Sequence, residues 1–340
     1  MISWDGIDDD GSASSNEFGE IIQLNARHDD EDAWSELLDR YAEDFPDEYA
    51  MSPPPMPTGI HDVDKELGGG IPAVGVTVVG ATAGTGKTAL ALNWAYAWSR
   101  QGMRPLVFSL ELPRHKVWER IVSLHSSLTG GLREVAWGDM GSVIDSVAGE
   151  GTRESFFRAE GRARWELVDR YIDAHRADDP ALVAWDSLGR HHITERIVVV
   201  DDRYELSTLC KIVTTLTENG WHGPVIVDYA QMVACKGKDS EYDRVTEVSR
   251  EFTKLAKDRH VPVILISSLK KLGAKEDEPT LDWFRGTGYI GYDATCAVIL
   301  TRGGTSGEET SVDMHVIKNR QGTSGNVASL TFTGRLGRFD

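Results

Sequence analysis

Apolar residues in this chain follow two patterns. Short runs that are apolar apart from Thr77 and Ser109 occur at 76–79, 106–110, 197–200, 225–227, 261–266 and 297–300. Near-continuous rather than alternating apolar character predicts strands buried on both faces, as in a parallel sheet. Between the runs lie stretches with helical spacing, at 89–100, 207–216 and 247–258. In the last of these Val248, Phe252 and Leu255 share one face, whereas 89–100 is apolar nearly all round and is expected to be buried against the sheet. Pro113 opens a further helix, and 113–195 is mostly helical in pattern, with turns at Gly130-Gly131 and 149–151. Two final runs, 312–317 and 327–332, predict a hairpin around 320–325. Strands alternating with helices predict an α/β fold with a mainly parallel twisted sheet flanked by helices and a C-terminal β-hairpin.

The N-terminal part reads differently. Residues 1–29 are polar and acidic and are expected to be a disordered tail. Within 30–45, Ala33, Trp34, Leu37, Leu38, Tyr41 and Phe45 fall on one helical face, which must dock either on its own domain or on a neighbouring subunit. Residues 46–57, with Pro53-Pro54-Pro55, read as a stiff linker, and the core domain is expected over 58–340.

Charge sharpens this division. The formal net charge is −18, but residues 1–50 hold 16 acids and 2 bases, so the tail carries most of the excess. The body is only mildly acidic and has no broad basic surface, so any nucleic-acid site must be local. Three dispersed cysteines, Cys210, Cys235 and Cys296, fit a reducing compartment and exclude a disulfide scaffold. The acidic N-terminus is unlike a secretory signal, and no apolar run is long enough to span a membrane. A soluble cytoplasmic protein is expected.

The chemistry gathers at the ends of the predicted strands. The run 76–79 feeds Ala81-Thr82-Ala83-Gly84-Thr85-Gly86-Lys87-Thr88, which opens directly into a helix. Strand, Gly-rich loop and helix in that order make a phosphate-binding P-loop, here with Ala81 in place of the first glycine. Backbone N–H groups of Ala83, Gly84, Thr85 and Gly86 would face phosphate oxygens at the positive end of a helix. Lys87 would reach the β- and γ-phosphates of ATP, and the Thr88 hydroxyl would ligate Mg²⁺. Asp228 ends the strand 225–227 and suits the acid behind the Mg²⁺ water shell, or a helix cap. Glu111 follows the strand 106–110, where it can polarise an attacking water or serve as a helix N-terminal acid. Ser267-Ser268 ends the next strand and can sense the γ-phosphate.

Taken together, residues 58–334 resemble the C-terminal ATPase domain of DnaB-type replicative DNA helicases, a RecA-like fold. The matching segments are TGIHDVD…GGGIP at 58–72, ATAGTGKT at 81–88, FSLELP at 108–113, IVDYAQM at 226–232, RGTGYIGYD at 285–293 and IKNRQGTSG at 317–325. The resemblance implies a homo-oligomeric ring, usually of six subunits, with ATP between neighbours. It implies that Glu111 is the catalytic glutamate and Asp228 the Mg²⁺-associated aspartate. Lys318 and Arg320 would reach the γ-phosphate of the adjacent subunit, with Arg320 as the arginine finger; by themselves they read as solvated charges on a hairpin. Single-stranded DNA would run through the pore, met by Lys236, Lys238 and Arg244 in one loop and by Lys270, Lys271, Lys275, Arg285, Gly286 and Gly288 in another. Acids share these loops, among them Asp239, Glu241 and Glu278.

The chain departs from the family at Ser268, where a glutamine is usual, and at Gly286, where a glutamate is usual. Residues 1–50 stand in place of the family's primase-interaction domain, so a primase or loader partner is unassigned. The expected function is an ATP-driven, ring-forming helicase or translocase on single-stranded DNA. The alternative is a RecA-like protein that uses ATP to assemble on DNA, as a loader or recombination protein, without unwinding it.

Overall fold

The computed structural model describes residues 53–139, 180–270, 278–285 and 289–340. The predicted acidic tail, the helix at 30–45, the turn at 149–151 and the middle of the 113–195 stretch lie outside them. The packed unit takes in residues from Pro54 onward. Met56 and Ile71 exchange two backbone hydrogen bonds, of 2.7 and 2.9 Å.

The chain runs α1 (His61–Leu67), β1 (Gly75–Ala81), α2 (Lys87–Arg100), β2 (Leu106–Ser109), α3 (Arg114–Leu128), then α4 (Pro180–Arg190) and α5 (Ile193–Arg196). It continues β3 (Val198–Val200), α6 (Leu206–Glu218), β4 (Val225–Asp228), α7 (Glu241–Asp258), β5 (Pro262–Ser268) and α8 (Tyr289–Asp293). It ends with β6 (Cys296–Ser306), β7 (Glu309–Asn319), β8 (Val327–Thr333) and β9 (Arg338–Phe339). Among the described residues these strands form one sheet in the order β3-β2-β4-β5-β1-β6-β7-β8-β9. The strands from β3 to β6 are parallel, and β7 to β9 continue antiparallel.

The apolar runs feed two cores, one on each face of the sheet. Val225 and Val227 of β4 and Val263 and Leu265 of β5 point to one face, under α6 and α7. Ile226, Ile264 and Ile266 point to the other, under α2, α3 and α4. The period of two along each strand therefore holds although every position is apolar. Helix α2 is covered nearly all round, with Trp94 and Trp98 wholly buried. It packs against the sheet and also meets the C-terminal turn, where Asn93 bonds Gly337 O at 2.7 Å and Phe339 N at 3.2 Å.

Several boundaries differ from the sequence reading. Helix α7 begins six residues before the predicted 247–258, because Ser240 caps it by accepting from Asp243 N at 3.0 Å. The apolar stripe alone does not reveal that cap. Strand β6 runs to Ser306, well past the predicted 297–300, because its polar half gains its partners from β7. The predicted hairpin forms between β7 and β8, but β7 is the middle of an antiparallel set paired also with β6. Helix α1 and strand β9 are too short to carry a periodic signal.

One buried polar group sets an acid limit on stability. His125 on α3 is fully buried, with Nδ1 2.8 Å from Tyr96 Oη and Nε2 3.0 Å from Ser187 Oγ. Burial, with His191 and Arg100 nearby, pushes its pKa down to about 4. The unfolded chain therefore takes up a proton at this group near its ordinary value of 6.5, where the folded chain does not. Stability from His125 is intact above that value and is expected to fall as pH drops from 6.5 toward 4. Thermal melts of wild type and His125→Gln across that window should diverge, the variant showing the shallower acid loss; parallel curves would reject the assignment. Among the described residues, no helix is long and apolar enough to cross a membrane.

Candidate nucleotide site and adjoining loops

The parallel register brings the predicted site residues to one edge of the sheet. Ala81 pairs with Ser268 and Leu300, and Ser109 pairs with Asp228. The C-terminal ends of β1, β2, β4 and β5 thus lie side by side, where open α/β sheets take their ligands. Ala81 is the last residue of β1 and its methyl group is buried in the core, so an alanine fits where the motif usually has glycine. Gly84 and Gly86 adopt positive φ, 78° and 101°. Gly86 is required twice over, since a Cβ there would also come within 2.8 Å of Phe339 Cζ. Phe339 stacks on Phe332 with centroids 4.5 Å apart, so the C-terminal strand props the loop from below.

At the floor of the loop, Thr88 Oγ1 donates to Asp228 Oδ2 at 2.7 Å. Asp228 is buried, and its Oδ1 has no hydrogen-bond partner among the described residues. Burial pushes its pKa up to about 6; the Thr88 hydrogen bond, Lys87 and Arg120 pull the other way, while Glu111 adds to the rise. A buried carboxylate oxygen left unpaired next to a threonine hydroxyl fits a hard divalent cation with its water shell. Lys87 Nζ donates to Ala81 O at 3.0 Å and Thr82 O at 3.1 Å, and burial lowers its pKa against the opposing pull of Asp228 and Glu111. Thr82 and Thr85 hydroxyls lie 3.0 Å apart across the loop.

Glu111 is exposed, two residues past the end of β2, and lies close enough to Lys87, Asp228 and Arg120 to act on the charge of each. Ser268 is half-buried at the end of β5, and its N–H donates to Gln231 Oε1 at 3.3 Å.

Sequence reasoning missed Arg120. It lies on α3 and faces Asp228, Glu111 and Glu119 while its guanidinium covers the Trp137 ring at 5.2 Å. An arginine on a helix reads as solvated, and only the approach of α3 to the strand ends reveals otherwise. Arg302 was missed for a similar reason: the antiparallel extension of β6 carries its guanidinium to 3.9 Å from where a Cβ on Gly84 would stand.

Lys318 and Arg320 lie elsewhere. Lys318 pairs with Ala297, and Arg320 N donates to Thr295 O at 2.9 Å, at the opposite edge of the sheet from the P-loop. Counting from Ala81 to Val76, whose carbonyl accepts from Thr295 N, the separation of Arg320 along the strands is about 16 Å; Lys318, level with Val78 through Ala297, lies about 10 Å along. Lys318 donates to the carbonyls of Tyr292 and Gly291, and Arg320 Nη2 donates to the same Tyr292 carbonyl at 3.4 Å. Burial lowers the Lys318 pKa, and the Arg320 charge lowers it further. Two like charges are held together on one carbonyl, with the Asp293 carboxylate close enough to pull the Lys318 pKa back up.

The two candidate DNA loops leave the same edge as the P-loop. Lys236 and Lys238 are exposed in the loop, whereas Arg244 lies not in the loop but in the first turn of α7, because the Ser240 cap starts the helix early; it is half-buried with its guanidinium donating to Asp239 O at 2.7 Å. Lys270 is exposed, and its N–H donates to Trp283 O at 2.8 Å. Arg285 forms a two-point ion pair with Glu241, at 2.9 and 3.0 Å. Lys271, Lys275, Gly286 and Gly288 lie outside the described residues.

The comparisons with known proteins agree with this layout. The family model for the DnaB-like helicase C-terminal domain matches residues 55–145 and 168–340. The chain is 25% identical over 299 residues to a replicative DNA helicase, DnaC, of Bacillus subtilis, covering 84% of this chain and 56% of that protein. It is 26% identical over 298 residues to the replicative DNA helicase DnaB of Haemophilus influenzae, covering 83% and 54% respectively. The chain thus spans just over half the length of these relatives. Among solved structures, a DnaB-like replicative helicase studied with its primase interactions matches with a TM-score of 0.62 at 19% identity, over 95% of this chain and 74% of that one. That likeness establishes the RecA-like fold, and the family model extends across most of the sequence: the chain belongs to the DnaB-like helicase C-terminal domain family.

Proposed function

We propose that this chain is the ATP-hydrolysing motor of a ring-forming helicase that translocates on single-stranded DNA in the cytoplasm. The observation that carries the reading is the separation of Lys318 and Arg320 from the P-loop of their own chain. The pair is held on the Tyr292 carbonyl, with Lys318 about 10 Å and Arg320 about 16 Å along the strands from Ala81, which places Arg320 far from the nucleotide of its own chain. It suits the nucleotide of a second copy, and a ring of six closes such head-to-tail contacts.

In this reading the backbone N–H groups from Ala83 to Gly86 hold the phosphates, Lys87 meets the β- and γ-oxygens, and Thr88 with Asp228 holds Mg²⁺. Held by Thr88 and Asp228, Mg²⁺ would supply positive charge against the phosphates. Glu111 orients and polarises the attacking water, and the Arg120 charge lies near enough to Glu111 and Asp228 to offset their mutual repulsion. Arg320, delivered in trans, stabilises charge on the transferred phosphoryl group. Lys236, Lys238, Arg244, Lys270, Lys271 and Arg285 would follow DNA phosphates, with Gly286 and Gly288 allowing close backbone approach.

The test is strand displacement on a forked duplex. Release that requires ATP hydrolysis supports the motor. Assembly on DNA that requires ATP but releases no strand would replace it with the ATP-switched, loader-like reading.

A further inference from the structure

Gln231 lies on the short turn after β4, three residues beyond Asp228. Its amide offers two N–H donors and one carbonyl acceptor. Nε2 donates to Ser267 Oγ at 2.9 Å and to the Arg285 carbonyl at 3.2 Å. Oε1 accepts from Ser268 N at 3.3 Å. Arg285 N in turn donates to Ser268 O at 2.9 Å, and the Arg285 guanidinium rests on Glu241. One side chain therefore ties together the turn behind Asp228, the end of β5 beside the P-loop, and the loop that carries Arg285. It is half-buried, so its bonds can be remade without opening a core.

We propose that Gln231 is a positioning residue that relays the state of the nucleotide site to Arg285, which rests on the reading of the Arg285 loop as DNA-contacting. A shift of Asp228 or Ser268 when nucleotide enters moves the turn or the strand end, and the amide carries that displacement to the Arg285 main chain. The guanidinium then exchanges the Glu241 carboxylate for a DNA phosphate of the same charge and similar two-point geometry.

The two arms of the relay separate chemically. A carboxylate at position 231 can still accept from Ser268 N, and the Ser267 hydroxyl can turn to donate to it. It has no N–H for the Arg285 carbonyl and sets oxygen lone pairs against oxygen lone pairs. Gln231→Glu thus keeps the arm to β5 and cuts the arm to the loop.

The experiment measures ATP turnover of the full chain with and without oligo-dT, alongside thermal midpoints. Gln231→Glu should keep the wild-type midpoint and DNA-free turnover and lose the stimulation by oligo-dT. A purely structural residue would instead lower the midpoint and leave the stimulation ratio in place. Gln231→Met removes both arms without adding charge, and it too should lose stimulation if the glutamate variant does not fold. In wild type, a non-hydrolysable ATP analogue should change amide hydrogen exchange at Ser268 and Arg285 together. A folded variant stimulated as strongly as wild type, or an Arg285 amide indifferent to nucleotide, overturns the relay alone. A wild type whose turnover ignores oligo-dT overturns the DNA reading and the relay with it.

Discussion

Glu111→Gln should bind ATP as wild type does and turn it over about 10²–10⁴-fold more slowly, the range expected for removing a positioned general base. The substitution keeps the size and the hydrogen-bonding reach of the side chain and removes only its charge and basicity. Glu111 is exposed and lies past the end of β2, so no core packing is disturbed. Its charge does act on Lys87 and Asp228, and losing it relieves repulsion at Asp228, whose pKa Glu111 helps to raise. Nucleotide affinity is therefore expected to hold or tighten slightly. Single-turnover hydrolysis with a separate binding titration checks both halves. A variant with wild-type turnover would move the general base elsewhere, and one that loses binding and turnover together would make Glu111 a nucleotide ligand.

Arg320→Ala should be at least as damaging, by about 10³–10⁵-fold in turnover if it is an arginine finger, and with nucleotide binding again intact. The decisive measurement combines the two variants. A chain with Arg320→Ala keeps a complete P-loop edge, and a chain with Glu111→Gln keeps a complete Lys318–Arg320 edge. Assembled together, they bring an intact P-loop edge against an intact cation pair at a fraction of the interfaces, and turnover should reappear. Each variant alone, at the same total concentration, should stay inactive. If the mixture co-assembles and remains inactive, the cation pair does not act across an interface. The register of β6 and β7 makes this a sharp test, because it sets Arg320 about 16 Å along the strands from Ala81 of its own P-loop.

Much of the site was legible before the fold was known, for reasons that can be traced to particular residues. Gly84, Gly86, Lys87 and Thr88 announce themselves because a phosphate cradle needs positive-φ glycines at a strand-to-helix turn, and the two glycines adopt those angles. Asp228 and Ser268 stand at the ends of apolar runs, and the ends of parallel strands meet at one edge. Arg120, Arg302 and Gln231 carry no comparable mark. Each is a polar residue on a helix, strand or turn that looks solvated by itself; Arg120 and Gln231 acquire partners from segments remote in sequence, Asp228 and Arg285, and Arg302 comes to lie near Gly84. The start of α7 was misplaced because the apolar stripe begins after the Ser240 cap.

The sequence by itself determined the α/β class and marked the candidate phosphate loop and the acids at the strand ends beside it, because these follow from local periodicity and from backbone angles that few residues can adopt. Only the tertiary structure decided which edge of the sheet each charge occupies. It joined Thr88 to Asp228 across the sheet, set Glu241 against Arg285, and put Lys318 and Arg320 at the edge away from their own P-loop. Those placements depend on strand order and register, which arise from contacts between distant segments and leave no trace in the spacing of residues along the chain.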